Sequence, residues 1–152
     1  MKVDMIWTDG AHPDFARLSR LLDIYFDNLV GGEQNRKNFI PFNSPADIHD
    51  VAIAYLGDRP VGCASFRRYD SRTAEVKRVY VDRDLRGSGI AKFLLQKLED
   101  RAKGQNYQTL ILQTRPTCTA AVGLYTSLGY RKIPNYGPYA QLPEAVCYAK
   151  SI

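Results

Sequence analysis

The 152-residue chain reads as an α/β (α+β) domain: a mixed, mostly antiparallel twisted sheet of about six to seven strands flanked by about four helices. Three observations lead there. Strand-like runs at residues 51–56, 61–69 and 75–81 are separated by the turn segments Gly57-Asp58-Arg59-Pro60 and Asp70-Ser71, which predicts an antiparallel meander. A helical period from about Gly89 to Lys103 precedes the short apolar run Thr109–Gln113. That run is best read as a buried parallel strand, so a helix crossover makes the sheet mixed. Finally, the strand over Val76–Val81 runs through Arg86-Gly87-Ser88-Gly89 straight into the helix, a strand, glycine turn and helix in immediate succession.

The remaining elements follow in chain order. Residues 2–8 form a first strand. Phe15, Leu18, Leu22, Tyr25, Phe26 and Leu29 trace one face of a helix ending at Gly31-Gly32. Residues 33–50 are polar and interrupted by Pro41, Asn43, Ser44 and Pro45, so they read as loop and short helix. Ile90, Phe93, Leu94, Leu98 and Ala102 give the second long helix its apolar face. Ala121, Leu124, Tyr125 and Leu128 line a last helix closed by Gly129, where a left-handed cap suits glycine. Tyr130 then opens a final pair of strands. No internal repeat or linker is present.

Length and composition fit one domain over 1–152, and a domain of this size buries about two-thirds of the surface of its unfolded chain. With 45% apolar and 24% charged residues, the composition is that of an ordinary globular protein, and no run approaches the ~20 apolar residues of a membrane helix. Charges within the first nine residues fall inside what would be the apolar segment of a secretion signal, so a cytoplasmic location is the expectation. Cys63, Cys118 and Cys147 are too widely spaced for a disulfide framework and read as reduced, buried thiols, although a helix start at Cys118 would lower its thiol pKa. His12 and His49 fall in loops, with no recognised metal-ligand spacing around them, so no metal is expected. The net charge of +5 is scattered, and local charge at Arg83 and Arg86 suits a polyanionic ligand better than nucleic acid.

The glycine turn is built for phosphate. Gly87 and Gly89 let backbone approach a ligand, and the first amides of the following helix have no internal partners and lie at the positive end of its dipole. A dinucleotide fold would need a third glycine where Lys92 stands, and a P-loop would need a lysine and a metal-binding hydroxyl that Gly87-Ser88-Gly89-Ile90-Ala91 lacks. Arg86-Gly-Ser-Gly89-Ile-Ala91 resembles the Arg/Gln-x-x-Gly-x-Gly/Ala signature of the GNAT N-acetyltransferases. Ala121-Val-Gly-Leu-Tyr125-Thr-Ser-Leu-Gly129-Tyr130 resembles that family's Ala-x-x-Leu-Tyr-x-x-x-Gly-Phe/Tyr helix and turn. Tyr130–Tyr139 and Val146–Lys150 also look like a bacterial branch of the superfamily. The resemblance covers roughly residues 50–150.

The resemblance implies a GNAT-like sheet splayed between the strands at 74–82 and 108–114, and acetyl-coenzyme A as cosubstrate with no metal. Arg86, Gly87, Ser88, Gly89, Ile90 and Ala91 would hold the pyrophosphate. Val79, Tyr80 and Val81 would hydrogen-bond the pantetheine, with a backbone N–H near Val79 as oxyanion donor. Cys118 occupies the place where many relatives carry an asparagine, so one cofactor contact is missing or replaced there. Glu75 is the candidate general base, placed by strand alternation on the face of Lys77, Val79 and Val81; the competing reading has it pairing with Lys77 or another cation, or orienting the acceptor. Tyr125 is the candidate general acid for the departing thiolate, against a purely packing role between Leu124 and Leu128.

The leading function is direct acetyl transfer to a primary amine of a small molecule, amino acid or protein. A coenzyme A binding module without turnover is the alternative from another class. Nucleic-acid binding through Arg131, Lys132, Tyr136 and Tyr139 is a third, set against those tyrosines lining the acceptor pocket. Expected partners are therefore a small-molecule or peptide amine, with neither nucleic acid nor membrane, and family pairing through the C-terminal strands suggests a homodimer. The acceptor is set by residues 33–50 and 136–142, where Glu33, Asp47 or Asp50 are candidates to meet a cationic amine and are equally readable as solvated carboxylates.

Overall fold

The computed structural model describes residues 2–152. Its elements are β1 (Asp4–Thr8), α1 (Pro13–Val30), β2 (Asp50–Leu56), β3 (Arg59–Arg68), β4 (Thr73–Val81), α2 (Ile90–Gly104), β5 (Thr109–Thr114), α3 (Thr119–Ser127), β6 (Arg131–Ile133) and β7 (Val146–Ser151). The seven strands form one sheet in the order β1-β2-β3-β4-β5-β7-β6. β1–β2, β2–β3, β5–β7 and β6–β7 pair antiparallel, while β4–β5 is parallel. The mixed, mostly antiparallel sheet is thus as expected. The helix count differs: among the described residues there are three α-helices, and residues 33–50 supply only the 3₁₀ turns Glu33–Arg36 and Ile40–Phe42. Pro41 and Pro45 remove the amide donors that a longer helix there would need.

The chain divides into two compact units, the first running up to Arg67 and including Lys77–Leu98, the second comprising Arg68–Val76 and Glu99–Ile152. The boundaries fall inside β4 and α2.

In the first unit, α1 starts at Pro13, which fits the first helical position, and His12 caps it by accepting from the Asp14 amide at 3.0 Å. Its other end is closed by Gly31 in the left-handed conformation. Phe15, Leu18 and Leu22 recur at spacings of three and four, and bury against Ile48, Val51, Ile53, Cys63 and Tyr80. Each such side chain contributes about 1.5–3 kcal/mol on burial.

In the second unit, β5 pairs with β7 from Thr109↔Ser151 to Thr114↔Val146, and Leu110 and Leu112 are fully buried. The β4–β5 ladder holds three pairs, Thr73↔Thr109, Ala74↔Leu110 and Glu75↔Ile111. It ends at Glu75, although β4 runs on to Val81 and β5 to Thr114. α3 ends as the periodicity predicts: Gly129 takes φ 94°, and the Tyr130 amide returns to the Tyr125 carbonyl at 3.0 Å.

Candidate active site

In the first unit the chain leaves β4 through a 3₁₀ turn at Arg83–Leu85 and reaches α2 through Arg86–Gly89. Gly87 and Gly89 have φ of 81° and 87°, which other residues rarely adopt, and a Cβ on either would meet no protein atom within 4 Å. Backbone geometry therefore demands glycine here, while the space beside it stays open. The Phe93 amide donates to the Gly89 carbonyl at 2.9 Å, so the amides of Ile90, Ala91 and Lys92 precede the first intrahelical donor. Buried Ile90, Leu94 and Leu98 fix the helix beneath them. Ser88 closes the turn by donating its hydroxyl to the Leu85 carbonyl. Arg86 donates Nε to the Val81 carbonyl at 3.3 Å, and its guanidinium sits 4.6 Å from the ring centre of Tyr25 and 5.9 Å from that of Tyr80. The arrangement suits a pyrophosphate: amides ahead of the intrahelical ladder, the positive end of a 15-residue helix and a nearby cation.

Just upstream, Arg78 breaks the regularity of β4 with a φ of 55°. A left-handed conformation costs a non-glycine residue about 1–2 kcal/mol, and the surroundings hold it from both sides. Ser65 donates to the Lys77 carbonyl at 2.6 Å and the Cys63 thiol to the Arg78 carbonyl at 3.3 Å. Burial pushes the Cys63 thiol up to about 12 against the opposing effect of the Arg78 charge, so it remains a donor. The buried Arg78 side chain donates Nη2 to the Ser19 carbonyl at 2.7 Å and to Asp23 Oδ1 at 2.9 Å. Asp23 Oδ1 also accepts from Arg36 Nη2 at 3.0 Å, and Arg36 Nη1 reaches Asp27 Oδ1 at 2.6 Å. This bulge corrects the simple alternation argument, because a left-handed residue at 78 interrupts the extended backbone that would carry the face of Glu75 on to Val79 and Val81.

Arg36 also lines a cavity of about 510 Å³ with Asp23, Asp27, Glu33, Ile40, Pro41, Asn43 and Ser44. Of the acidic candidates for an acceptor wall, Glu33 belongs to it. His12 is accounted for by its cap on α1. No group of three or more metal-ligating side chains occurs among the described residues, and no helix there is long and apolar enough to cross a membrane.

In the second unit, Glu75 is buried at 2% exposure, not on a solvated face. Its Oε2 accepts from the Tyr136 hydroxyl at 2.6 Å. Burial first, and the Glu75 charge second, hold the Tyr136 phenol far above its ordinary range. The pairing spans 61 positions, and nothing local in the sequence announces it. Tyr136 reads there as a pocket-lining aromatic or a nucleic-acid contact, not as a partner of Glu75. Tyr125 is buried on α3, edge-on to Tyr130 with ring centres 5.6 Å apart. Burial, with a smaller effect from Cys118, raises its phenol well above the usual range, so it is a protonated donor at neutral pH. Cys118 occupies the N-cap of α3 as expected, but its thiol is shifted upward because burial outweighs Thr114 and Arg115. The expectation of a lowered thiol pKa is thereby corrected: the helix start is there, but the side chain is only 4% exposed.

A mixed sheet of seven strands, a left-handed residue within β4 and a glycine turn opening onto α2 define the class as an acyl-coenzyme A acyltransferase fold. Residues 16–130 match the model of the acetyltransferase (GNAT) family, and the chain belongs to that family. It is 27% identical over 132 residues to an IAA acetyltransferase of Azospirillum brasilense, covering 86% of each chain. An N-acetylaspartate synthetase of Danio rerio is 39% identical over 88 residues, but these are 57% of this chain and 31% of the relative. This chain therefore spans well under half of that protein. Among solved structures, an acyl-CoA N-acyltransferase of Klebsiella pneumoniae superposes with a TM-score of 0.81 at 25% identity, covering 98% of this chain and 97% of the other. The PaiA N-acetyltransferase of Thermoplasma acidophilum, in complex with coenzyme A, shares the fold with a TM-score of 0.75 at 15% identity, covering 100% of both chains.

Proposed function

We propose that residues 1–152 work as one domain that transfers an acetyl group from acetyl-coenzyme A directly to a primary amine. The observation that carries this reading is the open, glycine-lined turn of Arg86–Gly89 at the amide end of α2, which follows β4 after one 3₁₀ turn. In this reading the amides of Gly87, Gly89, Ile90 and Ala91, with the turn closed by the Ser88 hydroxyl between them, and the charge of Arg86 hold the pyrophosphate, and Val79–Val81 hydrogen-bond the pantetheine. The Val79 amide follows the bulge at Arg78, and it receives the charge that develops on the thioester oxygen; a fixed dipole there needs little reorganisation.

Acetyl-coenzyme A supplies an activated acyl carbon. The amine nitrogen bonds to that carbon as the carbon–sulfur bond breaks, the amine proton passes to Glu75, and the sulfur meets the Tyr125 hydroxyl. A phenol raised well above 10 does not yield its proton easily to a thiolate of ordinary pKa near ~8.5. Hydrogen-bond donation to the developing thiolate is thus the larger part of the role of Tyr125. Cys118 stays a neutral thiol and carries no acyl group.

The test is release of free thiol from acetyl-coenzyme A with a panel of primary alkyl and aryl amines, amino acids, polyamines and peptides. Amine-dependent release supports the reading. Tight acetyl-coenzyme A binding with no release for any amine would leave a coenzyme A binding module instead.

A further inference from the structure

We propose that Tyr136 is a positioning residue for catalysis, holding the Glu75 carboxylate in the orientation that receives the acceptor proton; this rests on the reading of Glu75 as the base.

The argument begins with how firmly Tyr136 is itself held. Its ring stands edge-on to Tyr69 with centres 5.4 Å apart and edge-on to Tyr139 at 5.6 Å, with interplanar angles of 81° and 89°. Its carbonyl accepts the Tyr139 amide at 2.9 Å, and its backbone also hydrogen-bonds the buried Cys147 thiol. The preceding residue, Asn135, donates its side-chain amide to the carbonyls of Leu142 at 3.2 Å and Ala145 at 3.1 Å. A loop position tied in this way delivers its hydroxyl to one place, and that place is Glu75 Oε2 at 2.6 Å.

A buried carboxylate needs such a donor, since desolvation of an unpartnered charge is costly. The phenol cannot compete as an acid, because burial and the neighbouring carboxylate keep its proton on oxygen. Tyr136 therefore stays a donor throughout the reaction. It stabilises and orients the carboxylate while the acceptor proton arrives at Glu75.

A double-mutant cycle on the full chain tests this, using acetyl-coenzyme A with the fastest amine of the panel. Glu75→Gln is expected to lower kcat about 100-fold or more, in the range of a lost general base. Tyr136→Phe, which keeps both ring contacts, is expected to lower kcat about tenfold, the order of one hydrogen bond to a charged group, with KM for acetyl-coenzyme A unchanged. The double variant should be no slower than Glu75→Gln alone, because Tyr136 acts only through that carboxylate. If the two losses multiply, Tyr136 acts independently and the inference fails while the base stands. If Glu75→Gln keeps wild-type turnover, the base reading fails and takes the inference with it. Should Tyr136→Phe not fold, Tyr69→Leu loosens the Tyr136 ring without removing its hydroxyl. Its smaller loss of kcat should vanish in the Glu75→Gln background, and a multiplying loss would overturn the inference.

Discussion

The glycine turn of the first unit and the Glu75–Tyr136 pair of the second are assembled in opposite ways. The turn is local: Arg86, Gly87, Ser88, Gly89 and Ile90 are consecutive, two left-handed glycines set its path, and the helix that follows supplies the amides. The pair joins a mid-strand carboxylate to a loop tyrosine 61 positions away, and that tyrosine is placed by Tyr69, Tyr139 and Cys147. The comparison teaches that the turn depends on backbone conformation within a few residues, whereas the pair depends on side chains gathered from distant segments.

The strongest challenge to this contrast is Tyr125→Phe. A chemical role predicts a fall in kcat of about 100-fold with acetyl-coenzyme A affinity near wild type, measured by steady-state kinetics and calorimetry. Equal effects on both would move Tyr125 to the donor side of the comparison.

Next in size, Asp23→Asn removes the charge that two nearly buried guanidiniums share, Arg36 and Arg78 having side chains only 4% and 5% exposed. Asp23 is itself 42% exposed, which moderates the loss to about 1–3 kcal/mol. A lowered urea midpoint checks it, and an unchanged midpoint would show that Ser65 and Cys63 hold the bulge alone.

Gly89→Ala tests the local side. A left-handed alanine costs about 1–2 kcal/mol, and its methyl enters space that no protein atom fills. The acetyl-coenzyme A Kd should rise about tenfold, as read by calorimetry, with kcat at saturation little changed.

The smallest effect concerns pH. The Tyr55 phenol, donating to Asp14 Oδ2 at 2.5 Å, is raised from 10.0 to about 12, by burial first and then by Asp14. The folded state holds this proton longer than the unfolded one. The stabilisation is therefore complete below pH 10 and is lost as pH rises through 12. Tyr55→Phe should be less sensitive than wild type across that window in urea titrations.

Element by element, the strands, α1, α2 and α3 were legible because each carries its own periodicity and punctuation. Phe15, Leu18 and Leu22 mark one face, and Gly31 and Gly129 close helices in left-handed conformations as their positions suggested. Residues 33–50 were legible only as irregular, since Pro41 and Pro45 exclude a long helix without specifying which turns replace it. The Arg78 bulge had no sequence signal, because arginine has no preference for positive φ. It persists only because Ser19, Asp23, Ser65 and Cys63 surround it. Cys118 misled for a related reason: a helix start is visible in sequence, whereas the burial that raises its thiol is not.

By itself the sequence determined the order of elements, the mixed sheet, the family and the glycine turn before α2, since each rests on interactions within a few residues or on a spacing that local geometry imposes. Tertiary structure alone decided that Glu75 is buried against Tyr136 and that Asp23 ties Arg36 to a strained Arg78. Those contacts join residues far apart in the chain, and burial, which sets their electrostatics, belongs to the packed molecule and not to any segment of it.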